Sequence, residues 1–339
     1  MRKAILAMLC AFTGTISMAQ IGGEYIYQSL QIAPSARQAA LGGSVLSPRD
    51  SDLSLALFNP ALLDSNMNNQ AVLSYVNYYS DINLGFASYA KNLDSVWNVA
   101  AHLQYVSYGD FDRTDESGAV IGNFSAGDYA FVLGASRVID SSFTIGANLK
   151  TLYSAIDTYF NLSMAVDVAG SYVNRKRNLE AALVFSNIGT EIDSYTDGDK
   201  EKLPLNIKLG ITKRLKHAPL RFNVVAENLQ QWNLDESGDD EVTVDPVTGE
   251  IQDAKKFVFG DRLMRHMVIG TEVLVSQNFS VRLGYNYRRR QELKVDERPG
   301  TAGLSWGLGF RIKRFNLSYG RAIYHLAGAS SHFTVGAQF

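Results

Sequence analysis

The stretch Phe160–Tyr172, FNLSMAVDVAGSY, alternates with a period of two. Phe160, Leu162, Met164, Val166 and Val168 fall on one face, and Asn161, Ser163, Ala165, Asp167 and Ala169 fall on the other. Period two belongs to an extended strand, in which successive side chains point to opposite sides. The apolar face runs unbroken and the other carries an amide and a carboxylate among small residues. One side therefore suits hydrocarbon and the other suits water.

The pattern recurs along the chain, in 95–108 (SVWNVAAHLQYVSY), 178–188 (NLEAALVFSNI), 204–214 (PLNIKLGITKR), 279–288 (FSVRLGYNYR) and 301–313 (TAGLSWGLGFRIK). Such segments number about fourteen, of roughly 9 to 14 residues each, which is the span a tilted strand needs to cross a bilayer. Short connections, near 92–95, 140–142, 174–177, 216–219, 276–278 and 313–314, alternate with mostly longer ones at 109–126, 189–203, 233–262, 290–300 and 325–330. Brief turns on one side and long loops on the other are the build of an outer-membrane barrel. None of the seven prolines interrupts a proposed strand, as a closed ladder without free edges requires. The expected fold is all-β, a transmembrane antiparallel barrel of about fourteen strands. The polar face would line the lumen, where Lys150, Asp167, Glu180, Lys208, Arg221, Glu227, Glu272 and Arg282 could pair with one another. Tyr78, Tyr79, Trp97, Tyr108, Trp232, Tyr287 and Tyr324, near strand ends, are candidates for the aromatic girdles at the headgroups.

The opening 20 residues, MRKAILAMLCAFTGTISMAQ, carry Arg2 and Lys3, an apolar run and small residues at Ser17 and Ala19, the pattern of a secretory signal cut after Ala19. The sole cysteine, Cys10, lies within it, so the mature chain would hold neither a disulfide nor a thiolate metal site. The formal net charge of -2 gives no reason to expect nucleic acid. The five histidines show no metal-ligand spacing, and there is no GxxxxGK or GxSxG motif. No catalytic residue, metal or cofactor is expected. Three charged or terminal features remain. Asp235, Glu236, Asp239, Asp240 and Glu241 open a run of eight acids without a base, either a solvated loop or a docking surface for a partner. Arg288, Arg289 and Arg290, at the outer end of a strand, are candidates for contact with lipopolysaccharide phosphates. Phe339 ends an amphipathic final strand, the form of an assembly signal for outer-membrane barrels.

Ahead of the first strand the alternation is absent. FNPALL (Phe58–Leu63), with Asn59, Pro60 and Ala61, resembles the NPA element of the hatch in FadL-like outer-membrane proteins. The longer pattern over Pro34–Leu63 resembles the PorQ family of the type IX secretion system of Bacteroidetes, with PorV a close relative. It is carried by Pro34, Ser35, Ala36, Arg37, Ala40, Leu41, Gly42, Gly43, Asn59, Pro60 and Ala61, over about thirty residues. The resemblance implies a signal at 1–19, a hatch or plug at 20–68 and an outer-membrane barrel at 69–339. It also implies a non-enzymatic role, in which the barrel sits among outer-membrane lipids and lipopolysaccharide. There it would anchor PorZ, PorU and a PorV-like attachment complex that processes secreted cargo and attaches it to lipopolysaccharide. The alternative it implies is a FadL-type channel for long-chain fatty acids or other hydrophobic small molecules. Within the hatch, Gly42 and Gly43 would turn the backbone, and Arg37 would pair with a lumen carboxylate.

Overall fold

The structure is a computed structural model that describes residues 25–94, 96–196, 200–234, 243–244, 251–252, 259–293, 301–325 and 328–339. The expected signal at 1–19 with Cys10, and Asp235, Glu236, Asp239, Asp240 and Glu241, lie outside these residues.

Fourteen strands close into one antiparallel barrel. They are β1 (Gln70–Asn77), β2 (Asn83–Asn92), β3 (Trp97–Thr114), β4 (Val120–Val138), β5 (Phe143–Ile156), β6 (Tyr159–Asn174), β7 (Leu179–Asp193), β8 (Asn206–Arg214), β9 (Leu220–Ala226), β12 (Met267–Val273), β13 (Phe279–Asn286), β14 (Leu304–Ile312), β15 (Phe315–His325) and β16 (Gly328–Gln338). The intervening β10 (Thr243–Val244) and β11 (Ile251–Gln252) pair with each other as a separate ribbon. β9 pairs with β12, and β1 pairs with both β2 and β16, so no strand edge is left unpaired in the barrel. No helix among the described residues is long and apolar enough to cross a membrane.

Burial along the wall is the inverse of a water-soluble sheet. In β6, Phe160 and Val168 are 49% and 48% exposed, whereas Asn161, Ser163 and Asp167 are fully buried. The same outward apolar face continues through Leu103, Leu133, Leu149, Leu209, Leu283 and Val335. Such a surface is stable only against hydrocarbon. Rings mark its edges. Tyr105, Tyr129 and Tyr153 stand in register on β3, β4 and β5, with centroids 5.0 and 6.2 Å apart. Toward the short turns lie Trp97, the pair Phe143 and Tyr172, and the stacked pair Phe279 and Phe310. At about 3.3 Å per residue and a tilt near 40°, the path from Phe143 to Tyr153 spans roughly 25 Å, the height of an outer-membrane apolar band.

The structure departs from the sequence reading in three places. Strands run from 7 to 19 residues, because the connection expected at 109–126 is mostly ladder. β3 and β4 continue past a bulge between Ser107 and Asp110, with Phe111 stacked on Phe124 at 5.3 Å, and only 115–119 turn. Acidic residues and glycine in this hairpin mask its alternation. Arg288–Arg290 sit on a short helix (Tyr287–Glu292) after β13, and not on the strand itself, because the Asn286 side chain accepts from Arg289 N and caps a helical turn. Tyr78 and Tyr108 pack against the interior apolar cluster, and Tyr324 packs against Ala33 and Ala39, so these three are not girdle residues.

Candidate functional site: the segment inside the barrel

Residues 25–69 form one compact unit with the barrel and pack against its inward face. Their local structure follows from the motif residues. Ser35 caps α1 (Ala36–Ala40), its side chain accepting from Gln38 N. The helix ends in paired bonds from Gly43 N to Gln38 O (2.8 Å) and from Gly42 N to Ala39 O (3.3 Å). That is a Schellman cap, and Gly42 supplies the positive φ of 99° that it demands. Asn59, fully buried, does two jobs: Oδ1 accepts from Ala61 N (2.9 Å) and Nδ2 donates to Leu46 O (2.6 Å). Pro60 follows at the first helical position, where its missing N–H is no loss.

The wall is shaped to receive these turns. A Cβ on Gly146 of β5 would lie 2.5 Å from Ala61 N, and one on Gly284 of β13 would run into Gly42 N and Leu41 C. Ala36 N donates to Thr334 Oγ1 (2.9 Å), and Ala40 O accepts from Ser305 Oγ (3.0 Å). Pro34 and Leu41 are buried. Nearer the N-terminus, Tyr27 Oη donates to Asn161 Oδ1 (2.9 Å) and Ser29 Oγ to Asp128 Oδ2 (2.7 Å).

Arg37 is the hub. Its side chain is 5% exposed and donates to Glu272 through Nε (2.9 Å) and Nη2 (3.0 Å), to Asp50 through Nη2 (2.7 Å), and to Asp52 through Nη1 (2.9 Å). Arg221 also pairs with Asp50 and with Glu272 (3.2 Å), and Arg282 pairs with Glu272 (3.1 Å). Three guanidiniums thus meet three carboxylates, and the set is neutral. Burial by itself would raise the Asp50 carboxyl, but Arg37 and Arg221 outweigh it and hold Asp50 well below the usual carboxylate range. Elsewhere in the lumen Lys150 pairs with Asp167 (2.8 Å) and Lys208 with Glu227 (3.5 Å). Sequence reasoning missed Asp50 and Asp52, which stand in an unremarkable SPRDSD, and the receiving glycines. Glycine at inward strand positions was the available signal, since it marks close backbone approach.

Two cavities lie on opposite sides of this segment. One, of about 600 Å³, is lined by Arg37, Asp50 and Asp52 together with Arg214, Ser276 and Asn316 at the short-turn end. The other, of about 220 Å³, is lined by Gln31 and Gly43 together with Lys208, Glu227, Arg289 and Tyr324 at the long-connection end. The second lining is mainly polar, and the first mixes its charged groups with Val72, Leu274, Phe279 and Phe310. Of the three arginines singled out in the sequence, Arg288 pairs with Glu292 (2.6 Å) and Arg289 turns toward the second cavity. Arg290 approaches Gly303. Phe339 is 71% exposed at the short-turn end, its N–H donating to Asn69 O (3.1 Å).

No family model matches the sequence, and no curated protein does. Solved structures do match in shape. The toluene transporter TbuX of Ralstonia pickettii aligns with a TM-score of 0.54 at 10% identity, over 93% of this chain and 100% of that one. The toluene transporter TodX of Pseudomonas putida aligns at 0.52 and 14% identity, over 90% and 96%. A deletion mutant of the TodX monoaromatic hydrocarbon channel aligns at 0.53 and 13%, over 91% and 97%. The fold of this chain is that of these transporters, a closed fourteen-strand outer-membrane β-barrel.

Proposed function

We propose that the protein is a non-enzymatic outer-membrane component of a type IX secretion and attachment complex, a closed barrel that anchors surface partners such as PorZ, PorU and a PorV-like protein. The observation that carries this reading is the seating of the PorQ-like motif. Arg37, Asn59, Gly42 and Gly43 all fix the segment inside the barrel, and the cavities on either side of it are lined in part by charged groups. A segment pinned by a neutral, partly buried charge set suits a plug and scaffold better than a greasy conduit. The extended β3–β4 hairpin rises on the long-connection side, where partners would dock. Deletion of the gene is expected to release cargo to the medium or leave it unprocessed. Normal surface attachment in the deletion strain would overturn this reading.

A second reading is a FadL-type channel for long-chain fatty acids or other hydrophobic small molecules. At the level of fold the comparisons favour it over the first, because the matched structures include two toluene transporters. An apolar recess of about 420 Å³ on the outer wall, floored by Gly85 and Ala87 between Leu103 and Phe333, is a surface that a nonpolar molecule in the membrane would meet. Uptake of toluene and of a long-chain fatty acid, compared between wild-type and deletion strains, separates the readings. A loss of uptake with normal cargo attachment supports the channel.

A further inference from the structure

The cavity at the long-connection end has the chemistry of a ligand site. Its cations are mostly neutralised: Lys208 by Glu227, Arg288 by Glu292, and Arg265 by Asp261. Arg289 differs. Among the described residues it pairs with no carboxylate. It lies over the Tyr324 ring at 3.8 Å, donates weakly to Gly42 O (3.4 Å), and has Gly43 against its Nη2. Tyr324 is braced in turn by Tyr78 (5.5 Å) and His332 (5.8 Å), and its hydroxyl has no hydrogen-bond partner among the described residues. The guanidinium is therefore held stiffly beside the Tyr324 hydroxyl, and among the described residues the cavity's four cations, Lys208, Arg265, Arg288 and Arg289, outnumber their carboxylates Glu227, Asp261 and Glu292 by one.

The remainder of the lining is rich in amides, with Gln28, Gln31, Asn206, Asn228 and Asn286. Amides match the paired donors and acceptors of sugar hydroxyls, and a guanidinium matches an oxyanion bidentately. A volume of about 220 Å³ lies below the range typical of drug-sized ligands, roughly 300–1,000 Å³. We propose that this cavity binds one anionic sugar, a hydroxyl-rich ring bearing a single phosphate or carboxylate, with Arg289 and the Tyr324 hydroxyl on the oxyanion and the amides on the ring. The cavity lies on the long-connection side of the inner segment, so the ligand proposed is one from the cell exterior. The source is either a free sugar or the terminal group of a surface glycolipid. The inference rests on the cavity alone and holds under either reading of the protein's function.

The test uses full-length protein purified in detergent, titrated calorimetrically with glucose 1-phosphate, glucuronate, glucose, inorganic phosphate and lipopolysaccharide micelles. Saturable binding of glucose 1-phosphate or glucuronate is expected, with glucose and inorganic phosphate each at least tenfold weaker. Micelles that compete with the free sugar point to the glycolipid source, and failure to compete points to the free sugar. Either result requires the site. Arg289→Gln should weaken binding tenfold or more, Arg289→Lys less, and Tyr324→Phe several-fold. Heat-modifiable gel migration of each variant shows that its barrel is folded. No saturable binding of either anionic sugar to the folded wild-type protein, or undiminished binding to folded Arg289→Gln, overturns the proposal.

Discussion

Replacing Glu272 with Gln tests how the inner segment is held. Glu272 is 1% exposed and receives Arg37, Arg221 and Arg282 at 2.9 to 3.2 Å. The substitution keeps the shape but removes one of three carboxylates, leaving three guanidiniums converging on a neutral amide with one positive charge in excess. Breaking a buried ion pair from one side costs about 3–5 kcal/mol. Asp50 and Asp52 are 33% and 28% exposed, so water reaches the far side of the network and the lower end, about 3 kcal/mol, is expected. The barrel ladder is untouched, so the loss falls on the seating of the segment. Its unseated population should rise about a hundredfold, at 1.4 kcal/mol per factor of ten. The chain's only cysteine is Cys10, so a Ser54→Cys reporter combined with Cys10→Ser gives a single thiol, at a position now 7% exposed. Labelling of that thiol by a membrane-impermeant maleimide should accelerate about a hundredfold in Glu272→Gln. Adding Arg282→Gln, which removes the excess charge, should recover part of the protection. Labelling within threefold of the parent, in a barrel that still shows heat-modifiable migration, would refute the latch.

Three further outcomes follow from the same geometry. Gly146→Val should displace the Pro60–Ala61 turn, since even a Cβ there meets Ala61 N at 2.5 Å, and limited proteolysis of the folded barrel should then cut within residues 50–69. Asn59→Ala removes a cap and leaves Leu46 O unpaired in a fully buried site, at a cost of about 1–3 kcal/mol. It should raise the Ser54→Cys labelling rate roughly tenfold, whereas Asn66→Ala, at an exposed position, should not. For pH, the Asp50 carboxyl is depressed in the folded protein, so its stabilising effect is complete above the unfolded value of about 3.9 and fades as pH falls through the lower folded value. Ser54→Cys seating, probed with a thiol reagent that reacts in acid, should stay flat from pH 8 to about pH 4 and loosen only below. Loosening between pH 7 and pH 5 would count against Asp50 as part of the latch.

The sequence alone determined the wall. Period-two alternation is a local property, and strands that present hydrocarbon outward and amides and charges inward have one stable closure in a membrane. Phe160–Tyr172 showed which face was which, and the lumen charges Lys150, Asp167, Lys208 and Glu272 could be assigned to the inner face before any fold was known. The sequence also set Pro34–Gly43 and Phe58–Leu63 apart, because they lack the alternation of everything after them. The tertiary structure decided the partners. Arg37 reaches Glu272 across 235 positions of chain, and Asp50 joins it from a loop with no pattern of its own. Whether Gly146 and Gly284 are loose strand positions or slots for the inner segment depends on what approaches them. The placement of Arg289 turned on a helical cap at Asn286, which swings the arginine out of the strand pattern and into the lumen. Periodicity fixes the direction in which a side chain points, but ion pairs, slots and cavities depend on which distant residues the closed barrel brings within reach.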